Sequence, residues 1–185
     1  TKQITEPIVS AKGGTIDCNN TGITFQVNTN ETNLTYKWTG PNGFNSTEKE
    51  PMAMTAGIYQ LTANTQTGCT KIVDVLIEEN FTQPEISIKG ENITCILNTA
   101  TLKALSNDAI ESFSWEGTNG FISNETEIAV NQGGVYQLKA ISPNGCSTIS
   151  TYTVLEDKGM PAFEVKGNDL TCANPSTQLS VVYGN

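Results

Sequence analysis

Apolar and polar residues alternate with a period of two along much of this chain. Ile23, Phe25 and Val27 alternate with Thr24 and Gln26. Such an alternation predicts a β-strand that buries one face and exposes the other. Equivalent alternations lie further along the chain, at Ala100, Leu102 and Ala104 and at Thr177, Leu179 and Val181. We therefore expect one face of each of these three strands to be buried.

Short strands and turns account for the rest of the pattern. Other strands are predicted around three groups of apolar residues: Tyr36 and Trp38, Tyr59 and Leu61, and Ile72, Val73, Val75 and Ile77. The sequence Pro-Asn-Gly at 41–43 is turn chemistry, and only 105–112 offers any argument for a helix. About seven short strands in each repeating segment predict an all-β fold, a two-sheet antiparallel sandwich of immunoglobulin-like type.

The chain repeats itself at a constant interval of 77 residues. Cys18, Cys95 and Cys172 are spaced 77 apart, and so are Cys69 and Cys146. The sequence WTGPNGF at 38–44 returns as WEGTNGF at 115–121, and AGIYQL at 56–61 returns as GGVYQL at 133–138. A fixed period of this kind is typical of a tandem array of one structural unit.

The repeats predict a domain organisation for the whole chain. Residues 1–7 are expected to be the tail of a preceding repeat, and 162–185 the start of a further one. Two complete repeats are expected between them, the first at 8–84 and the second at 85–161. Pro84 and Pro161 close these repeats.

Composition excludes several classes of function. The 185 residues include 10 Lys+Arg and 19 Asp+Glu, for a net charge of −9, and no residue is His or Arg. Nucleic-acid binding is not expected because it needs cationic side chains to neutralise phosphates. A chain without His lacks the commonest general acid/base, so we expect no enzyme, no catalytic residue and no cofactor. No apolar stretch is long enough for membrane insertion.

The repeated motifs resemble a known group of domains. The pattern W-x-G-x-N-G-F, then G-x-Y-x-L, then Gly-Cys at 68–69 and 145–146, resembles the immunoglobulin-like and PKD-like repeats of giant surface proteins of Bacteroidota. The resemblance implies export by the type IX system and a place at the cell surface. It also implies a role in gliding adhesins or in filaments for attachment or prey capture.

Two functions follow from this organisation. In the first, the repeats are rigid links of a very long extracellular stalk or filament, whose partners are neighbouring repeats of the same chain or identical chains. In the second, each repeat is a lectin-like module that binds a cell-surface glycan. The constant spacing favours the first because binding modules usually vary in loop length.

The aromatic and acidic residues are interpreted mainly as structural. Trp38, Trp115, Tyr59 and Tyr136 are expected in the sandwich core. Phe44 and Phe121 follow the Asn-Gly turn and are possible surface contacts with a neighbouring chain. Acidic residues recur at Glu48, Glu50, Glu125 and Glu127 and near the repeat boundaries. They lack the Asp-x-Asp-x-Asp spacing of a calcium loop, so no metal site is expected.

The five cysteines indicate an oxidising, extracellular setting. Cys18 precedes the strand at 22–29, and Cys69 follows the strand at 57–64. With five intervening strands, the two cysteines fall at opposite ends of a sandwich, roughly 26 Å apart, whereas a disulfide needs Cα atoms within about 7 Å.

An inter-repeat bond between Cys18 and Cys146 is therefore preferred. Cys69, Cys95 and Cys172 then have their partners in neighbouring repeats. An even number of intervening strands instead restores bonds within each repeat, between Cys18 and Cys69 and between Cys95 and Cys146.

Overall fold

The computed structural model describes residues 6–159 and 162–183 and divides them into two compact units. The first unit contains the described residues up to Ile86, together with Ser106–Phe113 and Lys139–Ile149. The second contains Ser87–Leu105, Ser114–Leu138 and the described residues from Ser150 onward. Most of the predicted tail 1–7, the predicted boundary at Pro161 and residues 184–185 lie outside the described residues.

Nine strands form the sandwich of the first unit. They are β1 Val9–Lys12, β2 Thr15–Asp17, β3 Ile23–Thr24, β4 Gln26–Thr29, β5 Thr35–Thr39, β6 Asn45–Ser46, β7 Met52–Ala53, β8 Gly57–Asn64 and β9 Thr70–Asn80. One sheet has five strands in the order β2-β9-β8-β5-β6, and facing it are the pairs β1-β4 and β3-β7. All pairings are antiparallel except β2 with β9, which is parallel.

The core of the first unit is built from the alternating apolar residues of both layers. Phe25 from between β3 and β4 stacks on Trp38 of β5, with ring centroids 4.2 Å apart. Leu61 and Ile77 complete the interior, and all four side chains are at least 99% buried. The alternation thus places one face of each strand inside, as the sequence pattern predicts.

Eleven further strands follow β9 in the described residues. They are β10 Ile86–Gly90, β11 Ile93–Thr94, β12 Ala100–Ser106, β13 Ser112–Gly117, β14 Phe121–Ser123, β15 Glu127–Val130, β16 Gly134–Ile141, β17 Ser147–Val154, β18 Glu156–Asp157, β19 Phe163–Lys166 and β20 Ser180–Tyr183. Their sheets have the orders β14-β13-β16-β17 and β10-β12-β15, with β11-β18 and β19-β20 as separate pairs.

The second unit buries the residues that correspond to the first core. Trp115, Leu102, Tyr136 and Leu138 are at least 98% buried. Trp115 donates its indole hydrogen to the carbonyl oxygen of Glu125 at 2.9 Å, so the buried polar atom has a partner.

Turns rather than α-helices connect the strands. The described residues contain two single 3₁₀ turns, Pro41–Gly43 and Thr118–Gly120, in which Asn42 and Asn119 have φ near +55°. Asn tolerates this left-handed conformation better than most residues. No helix among the described residues is long and apolar enough to span a membrane.

No helix forms at 105–112, the one segment with any argument for a helix. Strand β12 continues to Ser106, and β13 begins at Ser112. Between them the Ser106 hydroxyl oxygen accepts a hydrogen bond from the backbone N–H of Asp108 at 3.0 Å. This local side-chain bond favours a turn over a helix.

The burial expected for the strand near residue 180 is also wrong. Leu179 and Val181 are 71% and 51% exposed, although they continue the alternating pattern. Strand β20 pairs only with β19, and no second layer among the described residues covers its apolar face. Alternation specifies which side of a strand can be buried, but burial requires a facing layer.

Candidate functional site

A disulfide joins Cys18 and Cys146, with Cα atoms 5.1 Å apart and a sequence separation of 128. Both cysteines belong to the first compact unit. Cys146 is almost completely buried, whereas Cys18 is exposed. The bond connects a cysteine of the first sequence repeat with a cysteine of the second, which is the pair preferred in the sequence analysis.

The sandwich explains why Cys18 is not bonded to Cys69. Cys69 directly precedes β9, whereas Cys18 directly follows β2, whose last residue Asp17 is paired with Asn80 at the other end of β9. An eleven-residue strand separates its ends by roughly 33 Å. The intra-repeat alternative is therefore wrong for Cys18, and its counterpart for Cys146 is wrong because Cys146 is already bonded.

Asp17 shapes the turn that presents Cys18. One carboxylate oxygen of Asp17 accepts hydrogen bonds from the backbone N–H of Asn19 at 3.0 Å and of Asn20 at 2.7 Å. The backbone N–H of Asp17 donates to the carbonyl oxygen of Asn20 at 2.9 Å. We call residues 17–20 the Cys18 turn. These bonds fix the turn locally, as an Asx motif does.

The second cysteine lies at the end of a turn between β16 and β17, residues 142–146, which we call the Cys146 turn. The Ser142 hydroxyl donates to the carbonyl oxygen of Cys146 at 3.0 Å. The same hydroxyl hydrogen is shared with Oδ1 of Asn144, which lies 2.5 Å from the Ser142 oxygen and also accepts from the backbone N–H of Cys146 at 3.2 Å. The turn is therefore held by its own side chains.

The amide nitrogen of Asn144 faces the other way, toward the chain that follows β9. Its Nδ2 donates to the carbonyl oxygen of Thr82 at 2.9 Å, and to the carbonyl and side-chain oxygens of Asn80 at 3.1 and 3.2 Å. These contacts span 62 to 64 residues of sequence. One side chain thus ties the Cys146 turn to the end of β9.

Two further hydrogen bonds join the Cys18 turn to the Cys146 turn. The backbone N–H of Cys18 donates to the carbonyl oxygen of Asn144 at 3.0 Å, and the Asn19 amide donates to that of Pro143 at 3.3 Å. Gly145 has φ +76°, and a Cβ on it would collide with the side chain of Asn19. The absence of a side chain at Gly145 therefore lets the turns approach closely.

A shallow cleft of about 280 Å³ lies beside this site. It is lined in part by Pro84, Asp108 and Pro143. Asp108 is engaged, because its carboxylate accepts the backbone N–H of Glu85 at 2.7 Å. The two prolines contribute to a lining surface that is mainly apolar.

The other three cysteines are free in the structure. Cys69 is half-buried, whereas Cys95 and Cys172 are exposed. Cys95 and Cys172 lie in turns closed like the Cys18 turn. In these turns the backbone N–H of Thr94 donates to the carbonyl oxygen of Leu97 at 2.9 Å, and the backbone N–H of Thr171 donates to the carbonyl oxygen of Asn174 at 3.1 Å. Their pairing with neighbouring repeats stays a prediction.

Phe44 and Phe121 occupy equivalent places beside the core tyrosines. Both are half-buried, and their rings lie edge-on to Tyr59 at 5.0 Å and to Tyr136 at 5.7 Å. Phe44 also lines an apolar groove of about 300 Å³, together with the exposed Met52 and Met54.

The core tyrosines each donate a hydrogen bond to the backbone. The Tyr59 hydroxyl donates to the carbonyl oxygen of Thr55 at 2.8 Å, and that of Tyr136 to Gln132 at 3.0 Å. Burial raises the pKa of both phenols above the ordinary value. A tyrosine that bonds to backbone a few residues upstream is typical of immunoglobulin-like domains.

Several of the acidic residues have protein partners. Glu50 accepts the backbone N–H of Val27 at 3.0 Å, and Glu127 pairs with Lys103 at 3.2 Å. Glu156 pairs with Lys158 at 2.7 Å, and this hydrogen bond lowers the pKa of the Glu156 carboxyl. Within 6–159 and 162–183, no three His, Cys, Asp or Glu side chains form a group that could hold a metal ion.

Comparison with known proteins agrees with this fold. A family model described as PKD-like domain matches residues 4–74. No curated protein sequence matches that of the chain.

Two solved bacterial adhesin structures are similar in fold. A bacterial ice-binding adhesin of 1.5 MDa aligns with a TM-score of 0.58 at 10% identity, over 93% of this chain and 72% of the other. A Ca²⁺-stabilised adhesin of an Antarctic bacterium aligns with a TM-score of 0.51 at 10% identity, over 93% and 54%. The predicted all-β, immunoglobulin-like sandwich fold is confirmed.

Sequence reasoning missed the residues that hold the two turns together. Asn144 was not singled out. A signal was present in the sequence, because the two repeats differ at this position: the residue equivalent to Asn144 in the first repeat is Thr67. Asn80 and Asn19 were not assigned to this site either. Their roles depend on partners more than 60 residues away, which the local pattern does not specify.

Proposed function

We propose that the chain is a structural repeat module of a very large extracellular stalk, filament or cell-surface adhesin. The observation that carries this proposal is the Cys18–Cys146 disulfide, because it joins cysteines of successive sequence repeats. The similar folds are those of bacterial adhesins, one of which is retained at the host cell surface. No catalytic role is proposed.

The disulfide suits a chain under tension. A pulling force that enters before Cys18 passes through the sulfur atoms to Cys146, so the 128-residue segment between them cannot be extended. Without the bond, that segment would stretch to about 450 Å. The bond therefore limits how far an unfolded module can lengthen.

Repetition of the bond would protect a whole array. Cys95 lies inside the loop closed by Cys18 and Cys146, so an equivalent bond from Cys95 would close an overlapping loop. With Cys69, Cys95 and Cys172 bonded to neighbouring repeats in the same way, every stretch of backbone is enclosed by at least one loop. The proposal includes repeats with the boundaries 8–84 and 85–161. It also includes a rigid rod, in which successive repeats are joined by these disulfides.

The biological setting is proposed from the motif resemblance. Type IX export, a place at the surface of a member of the Bacteroidota, and service in gliding, attachment or prey capture all fit an array of disulfide-linked modules. The partners are neighbouring repeats and, in a filament, identical chains.

Force spectroscopy of the full chain, held by its two ends, tests the load-bearing role. We expect the fully unfolded oxidised chain to be about 450 Å shorter than the reduced one. Cys69→Ser is the matched control because it removes a free thiol and leaves the bond. Equal lengths before and after reduction would contradict the proposal.

A second candidate function is binding of a glycan in the groove beside Phe44. The specific observation is that Met52 and Met54, 56% and 71% exposed, extend the apolar surface around this ring. The equivalent residues of the second repeat are Ala129 and Asn131, so such a site belongs to the first repeat alone. Glycan-array binding that is lost in Phe44→Ala but kept in Phe121→Ala would favour this function over the structural one.

A further inference from the structure

We propose that Asn144 is the positioning residue of the Cys18–Cys146 disulfide. Its side chain sets how strongly the folded chain favours the closed disulfide over the two free thiols. The inference concerns the chemistry of the bond itself. It holds whether or not the chain serves as a stalk.

Chain statistics disfavour this pair of cysteines. Cys18 and Cys69 are 51 residues apart, whereas Cys18 and Cys146 are 128 apart. Loop closure scales with the three-halves power of loop length, so an unfolded chain favours the shorter loop by about fourfold. Folding must therefore supply the preference for Cys146.

Strand β9 removes Cys69 as a competitor but does not supply Cys146 as the partner. It places Cys69 at the far end of the sheet from Cys18, but it does not bring Cys146 near. The hydrogen bonds between the two turns and the contacts of the Cys146 turn with the residues around the end of β9 do so together.

Asn144 uses both the nitrogen and the oxygen of its side-chain amide in these contacts. Its nitrogen donates to oxygens of Asn80 and Thr82, and its Oδ1 accepts the backbone N–H of Cys146. The same group thus holds the end of β9 on one side and the bonded cysteine on the other. The bond to Cys146 is partly buried, whereas the bonds to Asn80 and Thr82 are exposed to solvent.

The repeats provide a natural comparison. Thr67, at the position equivalent to Asn144, bonds only within its own turn, where its hydroxyl lies 2.9 Å from that of Thr65. A threonine can reproduce the link to Ser142 but has no amide to reach Asn80 and Thr82. The substitution Asn144→Thr therefore removes the hydrogen bonds to Asn80 and Thr82. It introduces the residue that the equivalent turn of the first repeat already contains.

Exchange with glutathione measures the preference directly. In the balanced reaction the two protein thiols and one oxidised glutathione give the protein disulfide and two reduced glutathione molecules. Two electrons and two protons pass to the glutathione. The equilibrium constant of this exchange for the full chain reports how well the fold positions Cys146 at Cys18.

We expect Asn144→Thr to lower this constant by about 10-fold and Asn144→Asp by about 100-fold. Each lost hydrogen bond weakens the closed state, and a carboxylate would also face three oxygens without a donor. Peptide mapping should show more Cys18 bound to glutathione.

Asn42→Asp is the matched control, because Asn42 also precedes a glycine in an exposed turn and makes no contact with either cysteine turn. Its constant should match that of the unsubstituted chain. If Asn144→Asp fails to fold, Asn144→Thr alone decides. The inference is overturned if folded Asn144→Thr keeps the constant within about twofold of the original, or if Asn42→Asp lowers it equally.

Discussion

Phe25 and Trp38 lie face to face across the first sandwich, with their rings inclined by 19°. Phe25 also meets the edge of Tyr59 at 5.1 Å. In the second repeat the equivalent of Phe25 is Leu102, which is also fully buried. The two repeats therefore fill the same core position with different shapes.

This difference predicts how the first unit responds to substitution. Phe25→Leu installs the residue of the second repeat and should lower the free energy of unfolding by about 1–2 kcal/mol, because it loses the aromatic contacts. Phe25→Ala should lower it by about 3–5 kcal/mol, because it also leaves a cavity. Urea unfolding measures both. Equal losses in the two variants would show that ring stacking, and not buried volume, dominates this site.

Gly145 and Gly68 form a matched pair for testing the approach of the two cysteine turns. Both have positive φ, +76° and +87°, so alanine strains the backbone at either position. A Cβ at Gly68 meets nothing within 4 Å, whereas a Cβ at Gly145 meets Asn19. Gly68→Ala should cost about 1 kcal/mol of unfolding free energy. Gly145→Ala should cost clearly more and should slow formation of the disulfide. Similar costs would indicate that the turns separate without penalty.

The buried tyrosines predict a loss of stability at high pH. Burial raises the pKa of Tyr59 and Tyr136, so the unfolded chain releases these protons first as the pH rises. The stabilisation is complete below about pH 10 and declines as the pH climbs toward the higher pKa of the folded protein. Urea midpoints measured across this range should fall.

The double variant Tyr59→Phe with Tyr136→Phe provides the control for that measurement. It should be less stable near neutral pH by about 1 kcal/mol for each lost hydrogen bond. Its midpoint should also decline less steeply above about pH 10. An equally steep decline would assign the pH dependence to other groups.

The oxygen atoms around Asn144 predict that calcium does not stabilise this site. The amide nitrogen lies 2.9 to 3.2 Å from the oxygens of Asn80 and Thr82, which are hydrogen-bond distances and longer than those of bound Ca²⁺. The amide thus occupies the place where a cation would sit. Thermal unfolding midpoints should be equal in excess calcium and in excess chelator. A rise with calcium that persists in Asn144→Thr would indicate a cation site elsewhere.

The sequence by itself determined the features that depend on neighbouring residues. Alternation specified the strands around Phe25 and Tyr59 and their buried faces, since side chains on a strand point to opposite sides in turn. The Asn-Gly pairs marked the turns at 41–43 and 118–120 because few other residues adopt a positive φ. The core positions of Trp38 and Trp115 followed from their place in a sandwich.

Only the tertiary structure decided what distant segments do to one another. The alternation at Leu179 and Val181 is as regular as that at Phe25, yet these residues are exposed, because no facing layer covers them among the described residues. Cys18 had two possible partners in the sequence. The parallel pairing of β2 with β9 separates it from Cys69, and contacts of Asn144 across more than 60 residues bring Cys146 to it. Such choices depend on packing between segments far apart in the chain, which a local pattern of residues does not encode.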